Sequence, residues 1–273
     1  MNKQTNGQRR FTVIELPVFS IVADSLGLPF KYLSELVKYG GVPFLLMLVV
    51  SAISFMLVRE DVSRYAASVL MVAHFALFTP FSVTWSKLAI FGRPAIATDP
   101  PLAYSRTQWL YLLATTVMVI SLVILAGPSV GLVRYGQRNF DNEIVMVAGM
   151  LMVAGLVLFA IGFVRLAFVF PAIAIRKYAG ISAAWKQTRG NIERLAAIIV
   201  LSYAPYFVVR QILDSLIGYH PPGLAAAARG CLDMLLVAMA TTALAGPALA
   251  YKRIVLDEHE EAPALGGETP SRE

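Results

Sequence analysis

The sequence predicts an all-α integral membrane bundle of six transmembrane helices. Two observations carry that expectation. Hydrophobic residues make up 58% of the 273 and charged residues only 15%, with a mean hydropathy of +0.67. The apolar residues are also gathered into six long stretches: Val42–Val58, Tyr65–Trp85, Gln108–Gly127, Ile144–Val164, Leu195–Leu213 and Cys231–Tyr251. A hydrocarbon core of about 30 Å takes roughly 20 apolar residues at 1.5 Å of rise each. With no water to bind its polar groups there, the backbone must satisfy itself, so such stretches read as helices.

Charge placement orients the bundle. On one side stand Lys3, Arg9, Arg10, Lys31, Lys38, Lys87, Arg93, Arg106, Arg176, Lys177, Lys186, Arg189, Arg194, Lys252 and Arg253. On the other stand only Arg59, Arg64, Arg134, Arg138, Arg210 and Arg229. Lys and Arg accumulate on the cytoplasmic side of membrane proteins, so both termini are expected inside the cell. An even number of spans requires the same. The net charge of +6 is therefore read as a topology signal, and no nucleic-acid partner is expected.

Along the chain, residues 1–12 are polar and expected to be disordered, 13–256 form the membrane domain, and the acidic tail 257–273 has little to bury. Glu15, Pro17 and Asp24 interrupt the only early apolar run, which argues against a cleavable signal peptide. Val18, Val22 and Leu26, then Phe30, Leu33 and Val37, recur at helical spacing. They predict two short amphipathic helices, Val18–Leu26 and Phe30–Lys38, lying on the cytoplasmic surface or packed under the bundle. Gly40-Gly41 is read as a helix break.

The second, fourth and sixth spans each carry a proline near the inner end, Pro80, Pro171 and Pro247, followed by basic residues. Proline removes a helical hydrogen bond and kinks the helix. In the sixth span Ala238, Thr242, Gly246 and Ala250 recur every four residues, and in the fourth Ala148, Gly155 and Gly162 every seven. Small residues at such spacing let helix backbones approach closely, so these two helices are expected to sit centrally.

The candidate site residues follow. Arg165 lies 11 residues before Arg176, about 16 Å of helix from the inner boundary. It either lines a polar cavity open to the inner leaflet or snorkels, helped by the Pro171 kink. His74, near the middle of the second span, either makes a helix–helix hydrogen bond or relays protons. Arg210 with Asp214, and Arg229 with Asp233, stand one turn apart near the outer ends of the last two spans, as ion pairs or as a substrate site.

The connection Arg176–Arg194 gathers Arg176, Lys177, Lys186, Arg189 and Arg194 around Trp185, with Ser182 expected to cap the helix that follows. Tryptophan prefers the headgroup layer, and basic clusters attract anionic lipid at about 1 kcal/mol per charge. The cluster either holds headgroup phosphates or only sets topology.

The single Cys231 rules out an intramolecular disulfide framework and a cysteine zinc site. No metal-ligand spacing, nucleophile elbow or phosphate-cradling loop is present, so no cofactor and no enzymatic activity are expected.

Arg165-Leu-Ala-Phe-Val-Phe-Pro171-Ala-Ile-Ala-Ile175, then Ala183-Ala-Trp185-Lys-Gln-Thr-Arg189-Gly190-Asn191 and Arg194-Leu195, resembles a bacterial family. That family comprises YciC-like inner-membrane proteins and the membrane domain attached to some glycerophosphodiester phosphodiesterases. The segment Trp85-Ser-Lys87-Leu-Ala-Ile-Phe-Gly92 and the entry around Pro43 look similar too. The resemblance implies a six-helix inner-membrane fold and a link to lipid-headgroup chemistry, without a defined activity. Arg176 departs from it, standing where such proteins often carry an acidic residue. The phosphodiesterase's soluble barrel, histidine pair and acidic metal ligands have no counterpart in the chain.

The expected role is a non-enzymatic lipid-interacting or scaffold module of the bacterial inner membrane. Its expected partners are membrane lipids, other membrane proteins or a second copy. The alternative is a transporter or flippase-like carrier of a small amphiphile.

Overall fold

The structure, a computed structural model, describes residues 16–59, 64–97, 99–100, 102, 104–139, 142–178, 180–217 and 243–257. Among these the fold is all-helical, without a strand. In order come α1 (Val18–Lys31), α2 (Leu33–Arg59), α3 (Arg64–Phe91), a 3-10 turn (Arg93–Ile96), α4 (Arg106–Asn139) and α5 (Asn142–Leu166). Then follow α6 (Val169–Ala174), α7 (Ile181–Gln187), α8 (Ile192–Ile217), α9 (Ala245–Tyr251) and a π-helical turn (Lys252–Leu256). Four segments among the described residues are long and apolar enough to cross a membrane: Leu33–Val50, Arg106–Asn139, Asn142–Ala174 and Ile192–Ile212. They match the first, third, fourth and fifth expected spans. The second falls on α3, and most of the sixth lies outside the described residues, as do residues 1–12, nearly all of the tail, Arg229 and Asp233.

Two expected surface helices are one helix and the start of another. The second does not stop at Gly40-Gly41, because α2 runs unbroken from Leu33 to Arg59. Packing explains the glycine: a Cβ on Gly40 would lie 2.5 Å from Phe44 Cε2. The Phe44 ring lies back over that bare turn and packs at 5.1 Å on Phe81 of α3. The glycine serves close side-chain packing and leaves the helix intact.

The opposite happens in the fourth span, where α5 stops at Leu166 and α6 begins at Val169. Pro171 has no N–H to give to the carbonyl of Ala167, and its ring crowds that carbonyl. The chain turns there, with Ala167 N–H bonded to Val164 O at 3.3 Å in the tighter 3-10 pattern.

The centre of the bundle also differs from expectation. From Thr79 to Ile90 every α3 residue except Lys87 is buried, and so are six of the seven α9 residues, Leu249 being the exception. The centrality expected of the sixth span holds at Gly246 and Ala250. A Cβ on Gly246 would meet Ser202 Oγ of α8 at 2.8 Å. The fourth span is peripheral: only 11% of its apolar window is buried. Its small residues serve one neighbour instead. A Cβ on Gly155 would strike the Leu125 carbonyl oxygen of α4 at 2.5 Å, whereas one on Gly162 would meet nothing within 4 Å.

Polar ties gather several helix ends at one end of the bundle. Arg93 Nε lies 2.6 Å from Glu35 Oε1, and Tyr39 Oη donates to Ile96 O at 2.7 Å, docking the start of α2 on the turn after α3. Lys87 Nζ meets Asp99 Oδ2 at 2.6 Å. Underneath, α1 packs on α8 and α9.

Candidate functional site

At this same end, the chain from Arg165 to Arg194 makes an excursion and returns. α6 closes with a Schellman pattern: Arg176 N–H bonds to Ile173 O at 3.0 Å and Lys177 N–H to Ala172 O at 2.9 Å. The position between helix and exit needs a left-handed backbone, normally supplied by glycine, and here Arg176 adopts it with φ 60. A side chain in that region costs on the order of 1 kcal/mol. The offsetting contact is specific, because Arg176 Nε donates to Thr107 Oγ1 of α4 at 3.2 Å. Arg176 thus fastens the end of α6 to the start of α4.

Gly180, with φ 100, turns the chain into α7 and occupies its N-cap. Ser182, expected to cap, lies inside α7, and no side-chain cap bond forms. One residue decides the difference: the left-handed backbone of Gly180 opens the helix ahead of the serine. The last turn of α7 brings the chain back to α5. The Thr188 hydroxyl lies within hydrogen-bonding distance of the carbonyls of Arg165, Ala184 and Trp185, at 3.3, 3.1 and 3.2 Å.

This return decides the surroundings of Arg165. Its guanidinium carbon sits 5.1 Å from the centroid of the Trp185 ring. Its Nε is buried without a hydrogen-bond partner. The expected 16 Å of continuous helix between Arg165 and Arg176 is absent, because the Pro171 break folds the intervening chain into α6 and its exit turn. A cation over an indole face is held by the ring quadrupole, which fixes the Trp185 plane as well as the arginine.

Around that pair the surface is basic and aromatic. Trp185 is 46% exposed, and Arg176, Lys177, Tyr178, Lys186 and Arg189 are exposed with it, while Arg194 is half-buried. The start of α4, tied to this turn through Thr107, carries Tyr104, Arg106 and Trp109, all exposed. Its start is a capping box: Ser105 N–H bonds to Gln108 Oε1 at 3.0 Å and Thr107 N–H to Ser105 Oγ at 3.2 Å. The signature Ser105-Arg-Thr-Gln108 stands in the sequence and marks the boundary there. Tyr104 and Trp109 pack ring on ring at 5.2 Å. Partial burial pushes the Tyr104 phenol above its ordinary value, and a phenol is in any case a donor at neutral pH.

The remaining candidates are not part of this cluster. His74 is half-buried on α3. Arg210, exposed on α8, donates to Tyr206 Oη at 3.0 Å; the Asp214 side chain lies outside the described residues. Among the described residues no group of three or more His, Cys, Asp or Glu could hold a metal ion. Comparison with protein-family models, curated proteins and solved structures finds no match to this chain.

Proposed function

We propose that this chain is a six-span protein of the bacterial inner membrane, both termini cytoplasmic, whose α6–α7 turn recognises anionic lipid headgroups. Its kinship with the YciC-like and phosphodiesterase-attached membrane domains is part of the same proposal. The observation that carries it is the Arg165–Trp185 pair. An exposed indole carries an arginine over its face, and the same α6–α7 turn exposes Lys177, Lys186 and Arg189. Indoles favour the headgroup layer and clustered cations favour phosphate, so the arrangement suits lipid recognition without chemistry on the lipid. A scaffold role toward other membrane proteins or a second copy is compatible with it.

A second reading, carriage of a small amphiphile, draws on the unpartnered Arg165 Nε, a buried donor left for a ligand.

The test is native mass spectrometry of the purified full-length protein. It compares wild type with a triple variant, Lys177→Gln, Lys186→Gln and Arg189→Gln, which leaves the Arg165 and Arg176 ties in place. Retained phosphatidylglycerol and cardiolipin should fall several-fold in the variant, with phosphatidylethanolamine unchanged. Equal retention of the anionic lipids overturns the proposal.

A further inference from the structure

The two most exposed large apolar side chains among the described residues are Phe19, at 83%, and Phe30, at 85%. Neither lies in a membrane-crossing helix; both belong to α1. They stand 11 residues apart, about 20° from each other around a helix of 3.6 residues per turn. Ala23, also exposed, falls between them, and half-buried Leu26 flanks the stripe.

Around its axis α1 therefore has three sectors. Ile21, Ser25 and Leu28 are buried, on a helix that packs against α8 and α9. Phe19, Ala23 and Phe30 form an exposed apolar sector. Ser20, Asp24 and Lys31 form an exposed polar one. A helix under a soluble bundle needs only the first and third.

Exposed apolar side chains do not end with α1. Across the single link residue Tyr32, Leu33 and Val37, 58% and 65% exposed, open α2 at the start of its membrane-length segment Leu33–Val50. Farther along, α2 exposes Leu45, Val49 and Ile53 on another side, since each step of four residues advances about 40° around the axis. The sector therefore adjoins, one residue away, a segment whose exposed apolar side chains would face acyl chains if α2 crosses a bilayer. Lys31 and Lys38 border the sector where it meets the end of the bundle.

We propose that α1 is an in-plane membrane helix, its Phe19–Ala23–Phe30 sector embedded at the acyl–headgroup boundary of the leaflet beside this end of the bundle. The occupant of the sector is lipid. One sector grips the protein, one enters the leaflet, and Ser20, Asp24 and Lys31 meet water, the division an interfacial helix requires. The proposal rests on the reading that α2 crosses the membrane and is independent of headgroup recognition at α6–α7.

The experiment uses the full chain in liposomes, with Cys231→Ser and one cysteine introduced at a time at Phe19, Asp24, Phe30 or Val49. Each cysteine carries an environment-sensitive fluorophore, quenched by nitroxide lipids from within the bilayer or by iodide from water. Val49 reports the span itself. Quenching by shallow nitroxide lipid at positions 19 and 30 should exceed that at 24 several-fold, with iodide quenching reversed. Val49 quenched by lipid while 30 and 19 are open to iodide overturns the proposal. So does shielding of 19 and 30 from both quenchers, the mark of a second copy. Lack of lipid quenching at Val49 instead sinks the spanning reading on which it stands. If Phe30→Cys fails to fold, Phe19→Cys reports the same sector.

Discussion

The Tyr104 hydroxyl donates to the backbone carbonyl of Ala76, which Pro80 leaves without its helical donor. Proline at position 80 has no N–H to return to residue 76, and α3 nevertheless runs unbroken through it from Arg64 to Phe91. Hydroxyls beside the gap back-bond to carbonyls as well, Thr79 to Phe75 O at 2.8 Å and Ser82 to Phe78 O at 3.1 Å. A loop residue from the start of α4 thereby completes the central helix of the bundle.

Replacing Tyr104 with phenylalanine keeps the ring packing on Trp109 and removes only the donor. The loss should cost about 1 kcal/mol, the net worth of one such bond. A lowered thermal midpoint of the detergent-solubilised protein, with unchanged helical circular dichroism, is the expected result. An unchanged midpoint means that the carbonyl finds another donor.

The Arg165–Trp185 contact should appear as coupling. A double-mutant cycle with Arg165→Gln and Trp185→Leu isolates the pair from what each residue does alone. We expect a coupling of about 0.5–2 kcal/mol in thermal or denaturant unfolding, the range between exposed and desolvated cation–ring contacts. Additive effects would show that the ring and the guanidinium are neighbours without mutual stabilisation.

Two glycines on one helix make opposite predictions. Gly155→Leu must push α5 off the Leu125 carbonyl, and overpacking of this kind costs about 1–3 kcal/mol. Gly162→Leu points into open space and should change stability by less than about 0.5 kcal/mol. Parallel unfolding curves of the two variants check both. Equal effects would place the α4–α5 contact elsewhere.

Apolar run length made the helices legible in the sequence, and the Ser105–Gln108 box marks one boundary to the residue. Continuity was not legible. Gly40-Gly41 and the Pro171 approach both look like breaks, yet only the second is one. At the first a tertiary contact decides, the Phe44 ring filling the space over Gly40, while at the second Pro171 locally deprives Ala167 of its helical donor. The basic cluster was visible as composition. That Arg165, twenty positions ahead, would stack on Trp185 depended on the turns at Arg176 and Gly180, and one of these is a left-handed arginine that no propensity favours.

That α5 crosses a bilayer, and so carries the α6–α7 turn to the face opposite the α4–α5 connection, is the central claim. It is tested most directly by side-specific labelling. In a Cys231→Ser background, single cysteines replace Lys186 and Gln137, both exposed. A membrane-impermeant maleimide should label position 186 only in inside-out vesicles and position 137 only in right-side-out ones. Labelling of both positions from the same side would contradict the account.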